Sequence, residues 1–235
     1  MQTISRRAFL GVTAGAVIAP SVSWAAEDVP ALLDHILLGC SDLDRGIAFV
    51  EEHTGVRAAF GGVHPGRGTQ NALLSLGTRR YLEIIAPDHK QASVQQFSVI
   101  TTLKEPQLIG WAAHPGDIQS LATKLAQSGI KAEGPTPGSR KRPDGRVLHW
   151  NTLTLHDDAQ GLLPFFIEWS ADSLHPSADS PKGCSLVHFE AATPDPGNLT
   201  KMTALLGLDL PITKAEKPLL IATIAGPKAQ FTVTS

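Results

Sequence analysis

Two polar residues interrupt otherwise apolar, strand-forming stretches. His35 lies within LLDHILLG and Glu83 within YLEIIAP. An ionised carboxylate on such a strand is costly to bury unless a cation or a hydrogen-bond donor meets it. A histidine and a glutamate on neighbouring strands can aim at one divalent metal. The same residue types recur downstream. Glu168 falls near the end of the apolar run LLPFFIEW, in the place Glu83 holds. His188, in SLVHFEA, falls on His35 when the two stretches are laid over one another.

Two further polar clusters have side chains suited to holding a ligand. The segment GGVHPGRGTQN holds His64, Arg67, Thr69, Gln70 and Asn71 between apolar runs, with glycines that allow close backbone approach to a ligand. His64 and Asn71 are its candidate substrate-binding residues; the competing reading is a turn held by its own side chains. The segment GPTPGSRKRPDGR carries Arg140, Lys141, Arg142 and Arg146. Its Pro-Asp-Gly is a turn signal, so it reads as a solvated hairpin tip. One arginine there, Arg142, is the candidate clamp for a substrate carboxylate. No G-x-S-x-G, P-loop or dinucleotide fingerprint occurs, and neither cysteine carries a nucleophile signature.

The elements that position these residues form a weak threefold repeat. The first repeat spans residues 32–86: a strand with His35, a helix from Asp42 to His53 with Leu43, Ile47 and Val50 on one face, then strands ending in YLEII. Ser41 or Asp42 caps the helix and Gly55 stops it. The second repeat spans 107–170, with LIGWAA as first strand, a helix from Asp117 to Ser128, and the strands VLHWNTLTL and LLPFFIEW. It has a glutamate but no histidine in the place of His35. The third, 184–235, is partial; its helix runs from Asn198 to Leu206, and it has the histidine but no glutamate.

This arrangement resembles the βαβββ modules of the vicinal oxygen chelate superfamily. The fuller stretch, with HPGRGTQNAL before YLEII and PGSRKRPDG later, looks like its glyoxalase-like branch. The resemblance implies an α+β fold in which such repeats form a cupped, mostly antiparallel sheet with helices outside. It implies a divalent metal ion as cofactor, held by His35, Glu83 and Glu168, with His188 in the fourth place if repeat three packs beside repeat one. Glu83 and Glu168 would then be the catalytic carboxylates. The implied activity is metal-assisted isomerase or lyase chemistry on a small oxygen-rich substrate. The alternative is a binding protein of the same fold that sequesters its ligand without turnover. The expected partners are that small molecule and a second copy of the chain in a homodimer.

The ends and the composition bound the remainder. Ser5-Arg6-Arg7-Ala8-Phe9-Leu10, an apolar run and a small-residue site near Ala25 read as a twin-arginine export signal over residues 1–25. The expected location is the periplasm. The apolar run is too short for a stable membrane anchor. A formal net charge of −2 gives no electrostatic case for nucleic acid. Cys40 and Cys184 are the two cysteines; in an oxidising compartment they either pair or remain two buried thiols.

Overall fold

The computed structural model describes residues 28–91 and 98–235. The export signal expected over residues 1–25 lies outside the described residues.

Each of the first two repeats builds one βαβββ unit. The first consists of β1 (Leu33–Gly39), α1 (Leu43–Thr54), β2 (Ala59–His64), β3 (Thr69–Ser75) and β4 (Tyr81–Pro87). A 3-10 turn at Ser98–Thr102 leads to the second: β5 (Gln107–Ala113), α2 (Ile118–Gln127), β6 (Ala132–Lys141), β7 (Val147–Leu155) and β8 (Phe165–Trp169). Together they form one eight-stranded sheet in the order β2-β3-β4-β1-β5-β8-β7-β6. The two first strands meet at the centre, β1 antiparallel to β5, and each runs parallel to the last strand of its own unit. The sheet curls until its edge strands β2 and β6 approach each other. The result is a cup of two halves with mixed α+β architecture.

The helices begin and end where local chemistry dictates. The Asp42 carboxylate accepts a hydrogen bond from the Arg45 amide at the start of α1, and Gly55 ends the helix at φ 80°. Leu43, Ile47 and Val50 are the buried face. Asp117 caps α2 in the same way, accepting from the Ser120 amide. These caps satisfy amides that a helix start leaves without intrahelical partners.

The third repeat takes a different place from the one expected. It builds β9 (Ser185–Thr193), α3 (Pro196–Leu206), β10 (Ile212–Lys214), β11 (Leu219–Ala225) and β12 (Gln230–Thr234). These strands make a separate four-stranded sheet, β10-β9-β11-β12. Both edges of β1 are already occupied, by β4 and β5, so β9 cannot lie beside it. The small sheet instead packs on the outer face of the cup. Phe189 meets Trp111 of β5 edge-on at 5.3 Å, and Phe231 meets Phe49 of α1 at 5.9 Å. One continuous apolar core joins the back of the cup, the helices and this second sheet. Cys40 and Cys184 are buried there as free thiols, which decides between the two readings of the cysteines.

Among the described residues, no helix is long and apolar enough to cross a membrane.

Candidate active site

The inside of the cup encloses about 550 Å³, a volume suited to a small organic molecule. Side-chain alternation decides what lines it. On β4, Tyr81, Glu83 and Ile85 point inward while Leu82, Ile84 and Ala86 enter the core behind. On β1, His35 and Leu37 point inward.

His35 is 1% exposed and is gripped on both ring nitrogens. Its Nδ1 lies 2.8 Å from Asp34 Oδ1, and its Nε2 lies 3.4 Å from Glu83 Oε2. The Tyr81 ring stacks on the imidazole at 4.4 Å. Asp34 is buried completely, yet its carboxylate is well served. His175 Nε2 sits 3.1 Å from Oδ2, and the Trp169 indole N–H donates to the same oxygen at 3.2 Å. Burial alone would raise the Asp34 pKa, but hydrogen bonds from His175 and His35 outweigh it and hold the group well below the usual carboxylate range. An ionised Asp34 accepts, so Nδ1 of His35 carries a proton and Nε2 is the nitrogen turned toward Glu83. Strict alternation would send Asp34 to the opposite face from His35. A bulge in the β1–β5 pairing between Leu33 and His35 breaks that rule and lets both serve one network.

Glu83, on the neighbouring strand β4, is the hub of a second cluster. The Asn71 side-chain amide donates to its Oε1 at 2.6 Å, and His64 Nε2 lies 3.6 Å from the same oxygen. Burial pushes the Glu83 pKa up. His64, His35, the Asn71 hydrogen bond and the Arg140 charge together reverse this and hold it below the ordinary value. For His64 burial wins, and the pKa falls from 6.5 to about 4. A neutral His64 fits its neighbours: Nδ1 is 2.8 Å from Thr69 Oγ1, and Nε2 is 3.3 Å from the Asn71 amide nitrogen, which donates. Asn71 turns its oxygen the other way, where it accepts from Arg140 Nη1. Arg140, on β6, is 3% exposed and crosses from the second half of the cup to the first.

The candidates read from the sequence therefore separate. His35, His64, Asn71 and Glu83 converge. Glu168 does not join them. On β8 the inward positions are Phe165, Ile167 and Trp169, so Glu168 falls on the other side, in a separate pocket near Arg79 and His114. There its Oε1 accepts from the Ile118 amide at the start of α2, at 3.2 Å. Laying YLEII over FFIEW aligns the glutamates but misses the parity, and one residue of offset reverses every side chain. His188 lies in the second sheet, where its neighbours are Glu190 at 3.7 Å and Asp28 at 3.9 Å. Arg142 stays at the hairpin tip, in an ion-pair cluster with Asp144 and Asp179. Arg140, together with Arg67, lines the cup in its place.

The metal set implied by the resemblance is thus dispersed to three places, and two of its members meet. Among the described residues no group of three or more His, Cys, Asp or Glu is arranged to hold an ion. A guanidinium, one amide away from Glu83, adds positive charge where a cation would bind. The residues present do not fit that four-ligand site.

Comparison with known proteins agrees with the architecture. The glyoxalase-like domain family matches residues 33–207, well over half of the chain. A hypothetical protein from Staphylococcus aureus superposes with a TM-score of 0.61 at 19% identity, covering 85% of this chain and 84% of its own. Methylmalonyl-CoA epimerase from Mycobacterium tuberculosis gives a TM-score of 0.44 at 22% identity, over 62% of this chain and 93% of its own. A hypothetical protein from Bacillus halodurans gives 0.44 at 18% identity, over 60% and 96%. No match is found among curated proteins.

Proposed function

This chain belongs to the glyoxalase-like domain family of the vicinal oxygen chelate superfamily, and from that footing we propose that it is an enzyme that moves a proton on a small oxygen-bearing molecule, in isomerase- or lyase-type chemistry. The observation that carries the reading is His35 held between Asp34 and Glu83 at the floor of an accessible cup. His35 Nε2 stands 3.4 Å from Glu83 Oε2, close enough to take over a proton that Glu83 removes from the substrate. Glu83, kept ionised by its partners, serves as general base toward a carbon beside a carbonyl or carboxyl group. His35, oriented by Asp34, returns the proton or donates to the oxygen on which charge develops. The Asn71 amide holds the Glu83 carboxylate in place, and neutral His64 in turn accepts from that amide. No step is routed through a metal, because the expected ligands do not converge.

The dispersal of those ligands favours one second reading, a cup that binds its ligand without turnover. Solvent exchange separates the two even while the substrate is unidentified. The protein is incubated in heavy water with a panel of 2-hydroxy acids, 2-oxo acids and 2-oxoaldehydes, and carbon-bound deuterium is read by mass spectrometry. The enzyme reading expects incorporation into at least one compound, abolished in Glu83→Gln and His35→Gln. Saturable binding of panel members with no incorporation would establish the sequestering reading instead.

We also propose periplasmic location through the twin-arginine route, supported by SRRAFLG at residues 5–11. Changing Arg6 and Arg7 together to Lys should leave precursor in the cytoplasm. Unimpaired export of that variant would overturn the route.

A further inference from the structure

Resting on that reading of the cup, we infer that its substrate class is a carboxylate joined to a flat, unsaturated ring through a carbon that bears hydrogen, with the acid group at Arg140 and the ring against Trp150 and Trp169.

The first support is the state of Arg140. A guanidinium has five N–H donors and is expensive to bury without a counter-charge. Here it is almost wholly buried; the Glu83 carboxylate supplies charge from a distance, but the hydrogen-bond partner is the neutral side chain of Asn71. Among the described residues no buried side-chain nitrogen or oxygen lacks a partner, so the donors that Asn71 does not take keep access to the cup. A planar carboxylate matches the guanidinium fork with two parallel hydrogen bonds. The surroundings are shaped for this side chain. A Cβ built at Gly61 would come within 2.5 Å of Arg140 Nη1, so glycine is what leaves the guanidinium its place. Glu83 sits at the far side of Asn71, and Glu133 also lines the cup.

The second support is independent of charge. Trp150 and Trp169 stand 5.3 Å apart with planes inclined by 56°, and both line the cup. The Trp150 indole lies against Gly138, where an added Cβ would be 2.5 Å from Nε1; again a missing side chain makes the platform possible. Gly138 is two residues from Arg140 on the same strand and pairs with Trp150 across it, so cation and platform are neighbours. Phe165 closes the wall edge-on to His35 at 5.6 Å. A ring on this wall with its acid group on Arg140 brings the carbon beside that group toward Glu83, which shares Asn71 with Arg140.

The test uses phenylacetate and benzoate as probes, phenylacetamide and benzamide as their neutral counterparts, and cyclohexanecarboxylate as a non-planar acid. Binding to the intact protein is measured by titration calorimetry and quenching of indole fluorescence. The acids should bind at least tenfold more tightly than the amides, as loss of about one charged hydrogen-bond interaction implies. Benzoate should exceed cyclohexanecarboxylate. Arg140→Gln should abolish the preference for acid over amide, and Trp150→Leu the preference for the flat ring. The acid-against-amide comparison is made on the unaltered protein, so it stands even if a variant fails to fold. Equal affinity for acids and amides, or no saturable binding of either aromatic acid at millimolar concentration, overturns the inference. The outcome is separable from the proton-transfer reading. Selective binding without deuterium incorporation would sink the enzyme and leave this class standing; incorporation into compounds that lack a carboxylate, with acids and amides bound alike, would do the reverse.

Discussion

At the scale of single residues the cup is a set of charges held apart by neutral spacers. Asn71 separates Glu83 from Arg140, and His64 stays neutral beside both. The neutrality of His64 has a cost that pH exposes. In the unfolded chain a histidine takes up a proton near its ordinary value of about 6.5; in the fold burial delays this to about 4. Between those values the unfolded state binds more protons, so the His64 contribution to stability falls as pH falls through that window and is constant below it, where Asp34 and Glu83 begin to lose theirs. The expected loss is on the order of 3 kcal/mol, measured by denaturant unfolding at stepped pH. His64→Gln should flatten that slope; an unchanged slope would show that His64 is not its source. Asp34 gives a second expectation. Its carboxylate accepts from three side chains while wholly excluded from water. Asp34→Asn should destabilise the protein by about 3 kcal/mol, because it weakens a buried charged network. It should also slow deuterium incorporation far more than it weakens ligand binding, since His35 loses the group that fixes its tautomer and orientation. Equal losses in both would argue for a merely structural role.

At the scale of elements the helix starts are plain in the sequence, and the parity of strands is not. Asp42, Asp117, Gly55 and Gly207 mark helix ends by chemistry that acts within a few residues. The His35 and Glu83 strands are likewise legible from polar groups in apolar runs. Strand β6 is not, because GPTPGSRK has the composition of a loop. It survives as a strand because it lies at the sheet edge, where Pro135 and Pro137 do not break a central ladder. With that strand hidden, composition points to Arg142 and passes over Arg140. Asp34 leaves a faint signal, two adjacent polar residues on one apolar strand. His175 leaves none, since its partner is 141 positions away. Glu168 shows how a residue found by repetition can acquire a local duty instead: it binds the first amide of α2. Glu168→Ala should therefore cost about 1 kcal/mol of stability, in the range of a lost helix cap. Titration of the cup with phenylacetate should be unaffected in that variant; a weakened titration would return Glu168 to the site.

For the molecule as a whole, the third repeat acts as a backing. It covers α1 and the reverse of β5 with Phe189 and Phe231 and shares one core with them. A chain ending at Asp179 keeps every residue of the cup and loses that cover. It should fail to show a cooperative thermal transition by circular dichroism, because the exposed apolar face of a curled sheet is not stable in water. A cooperative melt with intact ligand binding would show the two-unit cup to be self-sufficient.

The rim where β2 meets β6 joins two units of the same βαβββ order whose cup-facing residues differ. His35, His64, Asn71 and Glu83 belong to the first unit; Arg140, Trp150, Phe165 and Trp169 belong to the second. On the proposed reading the proton-transfer residues lie on the first unit and the recognition residues on the second, with the Trp169 indole N–H reaching across to Asp34. If that reading holds, substitution at Arg140 or Trp150 should change which ligand the cup takes without touching the Asp34–His35–Glu83 cluster, a short path from one substrate to the next.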